Sequence, residues 1–311
     1  MEALLHLQDK ILRTSQALGK LEAEVALRPE SQSLRANALS LRKLHENLQG
    51  DFHIVADSLG LNVCHYRMLL DRPPAKALGN SIGAFQDALS LTYESLKTGI
   101  PKLKRIFSPK SEEESELRVA YSYPGSFGVA FTIPNERLLF PEMRTTLDKA
   151  VETVFHLGKA ADNKSIIADT ARIIGRAPIV AVHAWAKANV KYGVGASIRW
   201  QKRESVSSEV LIQAPEFNEL SNSLERTTET KEEDITLEGT LVGADAKSKT
   251  FHFLDLDTSD FIKGKFTNAI SDEQQAKIPG RYKVHIHKTT VTSYAMDEEK
   301  VSYSLLRLEG L

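Results

Sequence analysis

The sequence predicts an α+β fold with an N-terminal helical, coiled-coil-like hairpin, an antiparallel sheet with helices, and a small C-terminal β-barrel of the OB or SH3-like kind. Three observations predict this fold class. Apolar residues recur every seven positions over residues 1–59. Strand-like alternation and helix-like spacing then follow one another as far as residue 224. The rest of the chain holds short apolar segments separated by turn residues, a pattern typical of a closed barrel.

Residues 1–59 predict two long helices joined at Arg28-Pro29, because the residue before a proline leaves helical space and proline opens helices readily. The seam of this hairpin consists of the residues at heptad spacing: Leu4, Leu7, Ile11, Leu18, Leu21, Val25, Leu34, Leu41 and Leu48. A two-helix hairpin buries little surface by itself. We therefore expect the seam to contact a second copy of the chain or a helical protein partner. The alternative is that the hairpin packs on its own domain as core helices.

Residues 60–224 predict an α+β domain organised around the segment LRVAYSYPGSFGVAFTI at 117–133. Its two arms alternate as strands do, and Pro124-Gly125 between them suits a tight turn. We expect this hairpin in the middle of a sheet that also contains a strand at 62–70 and a second hairpin at 196–213. Helical spacing predicts five helices. The first is capped at Asn80 or Ser81 and ends at Gly99, and the others span 147–158, 163–175, 178–193 and 215–224.

Residues 225–234, ERTTETKEED, hold no apolar residue and predict a linker. The barrel follows at 235–311, with strands predicted at 235–243, 250–256, 261–267, 281–289 and 301–308. The segments PGSFGVAF, LEGTLVGADAKSKTFHFLDLD and FIKGKF are similar to those of bacterial proteins in which an α/β domain precedes a five-stranded barrel. This resemblance covers about residues 60–311 and implies the fold, but it implies no activity and no site.

The bulk composition indicates an ordinary globular chain without a strong charge bias. Of the 311 residues, 41% are hydrophobic and 26% are charged, and the formal net charge is -1. No apolar run approaches the length of a membrane span, and the N-terminus lacks the features of a signal peptide. We expect a cytoplasmic location and no membrane partner. Cys64 is the single cysteine, so the chain has no internal disulfide.

Two stretches of basic residues predict a phosphate-binding surface. Arg199, Trp200, Lys202 and Arg203 lie on a predicted strand, and Lys102, Lys104 and Arg105 lie in a predicted loop. Cations and an aromatic ring are what a nucleic-acid interface requires. The alternative is an exposed edge hairpin protected from pairing by its charges. The barrel itself carries ten Lys/Arg and eleven Asp/Glu between Ile235 and Leu311, so it could contribute only if these charges segregate by face.

Residue patterns for metal binding and catalysis are weak. His285 and His287 share one face of a predicted strand, and Asp257 could complete a metal site with them. Two histidines on a solvated barrel face are the alternative. Cys64 and His65 are adjacent on a strand, so they point to opposite faces and cannot act as a nucleophile and its base. We expect no cofactor.

These observations favour a non-enzymatic binding or scaffold protein. It would oligomerise or dock a partner through the N-terminal hairpin, with the barrel as a recognition module. The alternative is a nucleic-acid-binding component of a bacterial multi-protein system, for example in defence or DNA maintenance. That alternative rests on architecture alone, and architecture does not define a function. A metal-dependent hydrolase using His285, His287 and Asp257 is the least favoured class.

Overall fold

A computed structural model of the chain describes residues 2–70, 72–123, 127–134, 143–161, 163–202, 205–245, 247–266, 276–293 and 298–311. The chain divides between Thr227 and Thr228 into two compact units. The first unit combines helices with an antiparallel sheet, and the second is a closed five-stranded barrel. The predicted fold class is therefore confirmed.

The first unit contains eight helices and five strands within the described residues. The helices are α1 (Glu2–Leu27), α2 (Gln32–Ser58), α3 (Ala75–Thr98), α4 (Pro109–Ser115), α5 (Thr146–Gly158), α6 (Lys164–Ile174), α7 (Arg176–Tyr192) and α8 (Ala214–Arg226). The strands are β1 (Leu61–Met68), β2 (Arg118–Tyr123), β3 (Gly128–Pro134), β4 (Ala196–Lys202) and β5 (Ser205–Ile212). Helix α3 begins earlier than the cap expected at Asn80 or Ser81, because Pro74 precedes a run of good helix formers and can itself precede a first turn.

The five strands form one antiparallel sheet in the order β2-β3-β1-β4-β5. The β2–β3 hairpin, which we expected in the middle, therefore forms one side of the sheet, with β2 at the edge and β1 at the centre. Its turn residues Pro124 and Gly125 lie outside the described residues. Of the apolar residues that alternate along β2, Tyr121 is buried and Val119 is 71% exposed, because the pairing register shifts between them.

The two faces of the sheet are covered differently. Cys64, Tyr66 and Met68 of β1 lie on the helix-covered face, where the indole nitrogen of Trp185 in α7 donates to Tyr66 Oη over 2.9 Å. Val63, His65 and Arg67 alternate onto the opposite face, which we call the hairpin face because α1 and α2 pack on it. The covered end of the hairpin face is apolar, and Arg67 near its other end is exposed.

The helical hairpin is rooted on its own sheet. The buried cluster that joins them contains Leu4, Ile11, Phe52 and Ala56 from the hairpin and Val63, Tyr121 and Ala130 from the sheet. Leu7 and Leu48 pack against this cluster. Leu4, Leu7, Ile11 and Leu48 are therefore core residues of the first unit, which corrects our expectation that they contact another chain. The seam did require burial, and the sheet supplies it.

The remainder of the hairpin forms an arm, which we define as residues 12–47. Within the described chain, no residue of the arm belongs to the cluster on the sheet or packs against it. The seam residues here are Leu18, which is buried, and Leu21, Val25, Leu34 and Leu41, which are half-buried. The arm thus keeps much of its seam between its own two helices and leaves other leucines exposed.

The second unit is a barrel of β6 (Thr228–Asp245), β7 (Thr250–Asp255), β8 (Phe261–Phe266), β9 (Gly280–Ser293) and β10 (Glu298–Gly310). These strands close in the order β10-β8-β7-β6-β9. The β8–β10 pair is parallel and the other pairs are antiparallel. A three-stranded meander closed by a fifth strand parallel to the third is the arrangement of an OB fold, so the barrel is OB-like. Its core includes Phe251 and Phe253, which are fully buried.

Residues 228–234, which we predicted as part of a linker, form the first part of β6 and pair with β9. Residues 225 and 226 end α8. This stretch lacks apolar residues because β6, β9 and β10 extend beyond the apolar core of the barrel, where a strand needs no buried face. Within the described residues, no helix is long and apolar enough to cross a membrane.

Candidate nucleic-acid interface

The residues predicted for phosphate binding are dispersed, and Trp200 is not available for stacking. Its side chain is 1% exposed, and Nε1 donates to Asp148 Oδ1 over 2.9 Å. Lys202 Nζ donates to the other oxygen of the same carboxylate over 2.9 Å. Burial raises the pKa of Asp148, but bonds from Lys202, Thr145 and Trp200 outweigh it and hold that pKa below its usual value. Trp200 and Lys202 therefore stabilise the start of α5, which corrects the predicted surface.

The basic loop after α3 is also engaged within the protein. Lys102 Nζ lies 2.8 Å from Glu94 Oε1, and Arg105 Nη2 lies 2.8 Å from Asp87 Oδ2. Lys104 is exposed, and Arg203 lies outside the described residues. Because partnered cations release few counterions on binding, this loop is a weak site for phosphate. Of the described residues on β4 that were predicted to bind phosphate, only Arg199 lies on the hairpin face. It is opposite His65 of β1.

The predicted metal ligands do not converge. His287 Nδ1 lies 2.6 Å from Asp234 Oδ1, and His285 Nδ1 lies 3.0 Å from Thr236 Oγ1. Asp257 belongs to a turn in which its backbone N–H donates to Asp255 Oδ1 over 3.2 Å. Among the residues that the structure describes, no group of three His, Cys, Asp or Glu side chains could hold a metal ion. Each histidine is instead part of a cross-strand pair on the outside of the barrel.

Cys64 lies on the helix-covered face and His65 on the hairpin face, as the alternation of a strand requires. Burial raises the pKa of the Cys64 thiol to about 12. A thiol that remains protonated at neutral pH is a poor nucleophile, so Cys64 is a core residue.

The outer surface of β7 and β8 carries an aromatic ring beside cations. Phe261, at the start of β8, has a side chain that is 54% exposed. The His252 ring on β7 lies 5.7 Å from it, measured between ring centroids, and Lys263 Nζ lies 5.9 Å from the Phe261 centroid. The pleat places Phe261 and Lys263 on the same side of β8, and His252 pairs directly with Lys263 across the two strands.

The positive charges continue along the same hairpin. Lys265 follows Lys263 on the outer side of β8, and Lys247 and Lys249 are exposed in the turn that precedes β7. The acidic turn, with Asp257 and Asp260, lies at the other end of the β7–β8 hairpin, beyond Phe261. Charges that balance over the whole barrel are thus separated along this face. We call the set His252, Phe261, Lys263 and Lys265 the barrel stripe.

Sequence reasoning did not select the barrel stripe. The available signal was the FIKGKF segment, where an aromatic residue and two lysines occupy alternate positions of a predicted strand. The alternation shows that these three residues share a face, but only the closed barrel shows that the face is external. Comparisons with protein-family models, with curated proteins and with solved structures return no match.

Proposed function

We propose that this chain is a non-enzymatic protein that binds single-stranded nucleic acid on the barrel stripe. The observation that carries the proposal is the exposed Phe261 ring, which lies beside His252 and Lys263 on the second and third strands of an OB-like barrel. Small barrels of this kind bind oligonucleotides with the face formed by those strands. An exposed ring offers a base a flat apolar surface, and the adjacent lysines offer the backbone a row of charges.

The order of groups along the stripe supports an extended ligand. Phe261, Lys263 and Lys265 alternate along one strand, so their side chains emerge at intervals of roughly 7 Å. That interval is close to the reach between successive phosphates of an extended single strand. His252 packs beside the Phe261 ring and limits its rotation, so the ring is partly ordered before a base arrives.

The proposal is tested with a fluorescently labelled oligonucleotide of about 15 nucleotides, long enough for an OB-fold site. We expect Phe261→Ser to weaken binding by a factor of about 5 to 100, the range for losing one stacked base. Lys263→Gln should weaken binding less and should reduce the slope of log affinity against log salt by about 0.7, because one phosphate contact is lost. Fluorescence anisotropy over a salt series measures both quantities.

Lys283→Gln is the matched control. Lys283 lies on β9, which is not a neighbour of β7 or β8 in the barrel, and its ammonium group pairs with Glu238 at 3.4 Å. This variant should bind as the original chain does. The proposal is abandoned if the unmodified chain does not bind at low salt, or if Phe261→Ser and Lys283→Gln behave alike.

A second proposal concerns the arm, residues 12–47, which we infer to associate with a second copy of the chain. Leu27, Leu39 and Leu44 are 81%, 67% and 49% exposed on the arm. Exposed leucines on a two-helix projection favour burial against another helix. The proposal keeps the expected association through the helical hairpin but places it on the arm. The sheet already covers the seam at the other end of the hairpin.

Light scattering of the intact chain and of a Leu39→Gln/Leu44→Gln variant tests the association. We expect a dimer that the substitutions convert to a monomer, since glutamine preserves helix propensity and removes apolar area. Leu103→Gln, at a leucine that is 60% exposed outside the arm, should leave the mass unchanged. A monomeric intact chain would contradict self-association. Deleting residues 1–59 would be an unsuitable test, because Phe52 and Ala56 cover the sheet.

A further inference from the structure

A second polar cluster lies on the hairpin face of the first unit, and Arg199 is its one member from the surface predicted for phosphate binding. Arg67 on β1 and Arg199 on β4 are exposed and are diagonal neighbours, since Arg67 pairs with Ser197 and Arg199 pairs with His65. Within the described residues, neither guanidinium forms an ion pair with a carboxylate, although Glu209 lies opposite Arg199 on β5. This distinguishes the two arginines from Lys102, Arg105 and Lys202, which all have carboxylate partners.

A tyrosine crosses the sheet to reach these arginines. Tyr123 on β2 pairs with Gly128 on β3, and Gly128 pairs with Arg67. The Tyr123 ring occupies the space above Gly128, where an added Cβ would lie 2.1 Å from the ring. Burial raises the pKa of the Tyr123 hydroxyl, and the nearby Arg199 and Arg67 guanidinium groups oppose that rise. The ring centroids of Tyr123 and His65 are 5.9 Å apart. The glycine therefore allows an edge-strand phenol to join the two guanidinium groups.

The inner end of the cluster is a chain of hydrogen bonds beneath helix α2. Gln201 Nε2 donates to His53 Nδ1 over 2.8 Å, and His53 Nε2 lies 3.0 Å from His65 Nε2. Burial, with a smaller contribution from Arg199, lowers the pKa of His53 to about 4. Burial, together with His53 and Arg199, lowers the pKa of His65 to about 3. Both rings are neutral at pH 7, so each carries one proton. Because Gln201 donates to Nδ1 of His53, the proton of His53 lies on Nε2, and the proton of His65 then lies on Nδ1.

Two donors at this inner end have no acceptor. His65 and Tyr121 are each 4% exposed, and neither His65 Nδ1 nor Tyr121 Oη has a hydrogen-bond partner among the described residues. The His65 ring lies 6.3 Å from that of Tyr121, measured between centroids. Buried polar groups are nearly always paired in native proteins, so two such donors side by side indicate an acceptor that enters from outside the chain.

We infer that the hairpin face binds a terminal phosphate group, from a phosphate monoester or inorganic phosphate, held by Arg67, Arg199 and Tyr123 with one oxygen directed toward Tyr121 and His65. Two guanidinium groups suit a dianion, and donors on several sides suit a tetrahedral group better than a flat carboxylate. The inner donors lie under the helical hairpin, so only an unsubstituted end of the ligand can reach them. A phosphodiester inside a polymer has substituents on both sides and is excluded.

The experiment is calorimetric titration of the full chain with inorganic phosphate, phenyl phosphate and diphenyl phosphate. We expect phosphate and phenyl phosphate to bind and diphenyl phosphate to bind at least about tenfold more weakly, because it lacks the free end and carries one charge less. Arg199→Gln should weaken phosphate binding by about tenfold or more. Tyr121→Phe should weaken it by about fivefold while leaving the unfolding midpoint unchanged or higher, because no described residue forms a hydrogen bond with the lost hydroxyl.

Two control variants make the result specific. Arg13→Gln removes an exposed arginine that pairs with Asp9 on α1, and it should leave phosphate binding unchanged. Lys263→Gln, on the barrel stripe, should also leave it unchanged, so this inference and the nucleic-acid proposal can fail separately. The inference is overturned by an absence of phosphate binding, by equal binding of diphenyl phosphate, by tighter binding of acetate, or by a Tyr121→Phe variant that binds phosphate normally.

Discussion

At the scale of single residues, His53 and His65 connect the helical hairpin to the sheet through their ring nitrogens. Both are buried, and no carboxylate is among the groups that perturb them. Their protonated forms therefore have no compensating carboxylate among the described residues. The two imidazoles consequently make the contact between hairpin and sheet sensitive to acid.

We expect stability to fall as the pH decreases below about 6.5, the unperturbed value for histidine. The folded-state pKa values, about 4 for His53 and about 3 for His65, lie below that value, so the unfolded chain takes up protons first. Each histidine then removes up to about 1.4 kcal/mol of unfolding free energy per pH unit until the pH reaches its folded-state pKa. Urea denaturation at pH 7.5, 6.0 and 5.0 measures the slope, and NMR titration of the rings assigns it. Ring pKa values near 6.5 in the folded protein would contradict this account.

Trp200 shows which site information a sequence carries and which it does not. The alternation of β4 correctly separates Arg199 from Trp200 and Lys202. It cannot show that the Trp200 side of the strand is covered by α5, because the cover comes from Asp148, far away in the sequence. A basic-aromatic segment therefore had two interpretations, and burial decided against the one that needs solvent access.

At the scale of elements, the heptads of α1 and α2 predicted two helices with nearly the observed bounds, Glu2–Leu27 and Gln32–Ser58. A heptad specifies that a stripe is buried, but the chemistry of the covering surface is the same for a sheet, a second copy or another protein. The end of the helical hairpin that packs on the sheet is covered by Val63, Tyr121 and Ala130, and no local pattern could have linked these residues to Leu4. The buried face of each helix was therefore predictable, and the surface that covers it was not.

The junction between α6 and α7 depends on Gly175 in a way that can be tested. Gly175 has φ +86°, and an added Cβ would lie 2.2 Å from the carbonyl oxygen of Lys102. The loop that contains Lys102 is held at this junction by two backbone hydrogen bonds, one from Lys102 N to Ile174 O and one from Ala177 N to Lys102 O. Gly175→Ala should lower the free energy of unfolding by about 3 kcal/mol or more, since it combines backbone strain with displacement of this loop. Chemical denaturation measures the change.

Gly193 provides the matched comparison. It has φ +62° at the end of α7, and no atom of the described residues lies within 4 Å of a Cβ added there. Gly193→Ala should therefore lower the free energy of unfolding by about 1 kcal/mol, the cost of the left-handed conformation alone. Equal effects of the two substitutions would show that the backbone conformation, and not the approach of the loop, accounts for Gly175.

At the scale of the whole molecule, the order of elements was predictable because hydrophobic period and turn residues agree over most of the chain. The closed barrel followed from five short apolar segments, although its OB-like topology required the parallel pairing of β8 and β10. The main error in the organisation was the linker. Thr228–Asp234 pairs with β9 through backbone groups, and backbone pairing leaves no signature in the side chains when both faces are polar.

The pairing of β9 also determines how the barrel transmits force. Strands β6 and β10 flank β9 on its two sides and run parallel to each other, from Thr228 and Glu298 at one end to Gly239 and Gly310 at the other. A pull between the start of β6 and the end of β10 acts along the strands, so it loads the hydrogen bonds of both ladders together instead of one after another. Rupture of either ladder then requires many of its hydrogen bonds to break together, so we expect the force that unfolds the second unit to depend on its unfolding rate and not on its equilibrium stability.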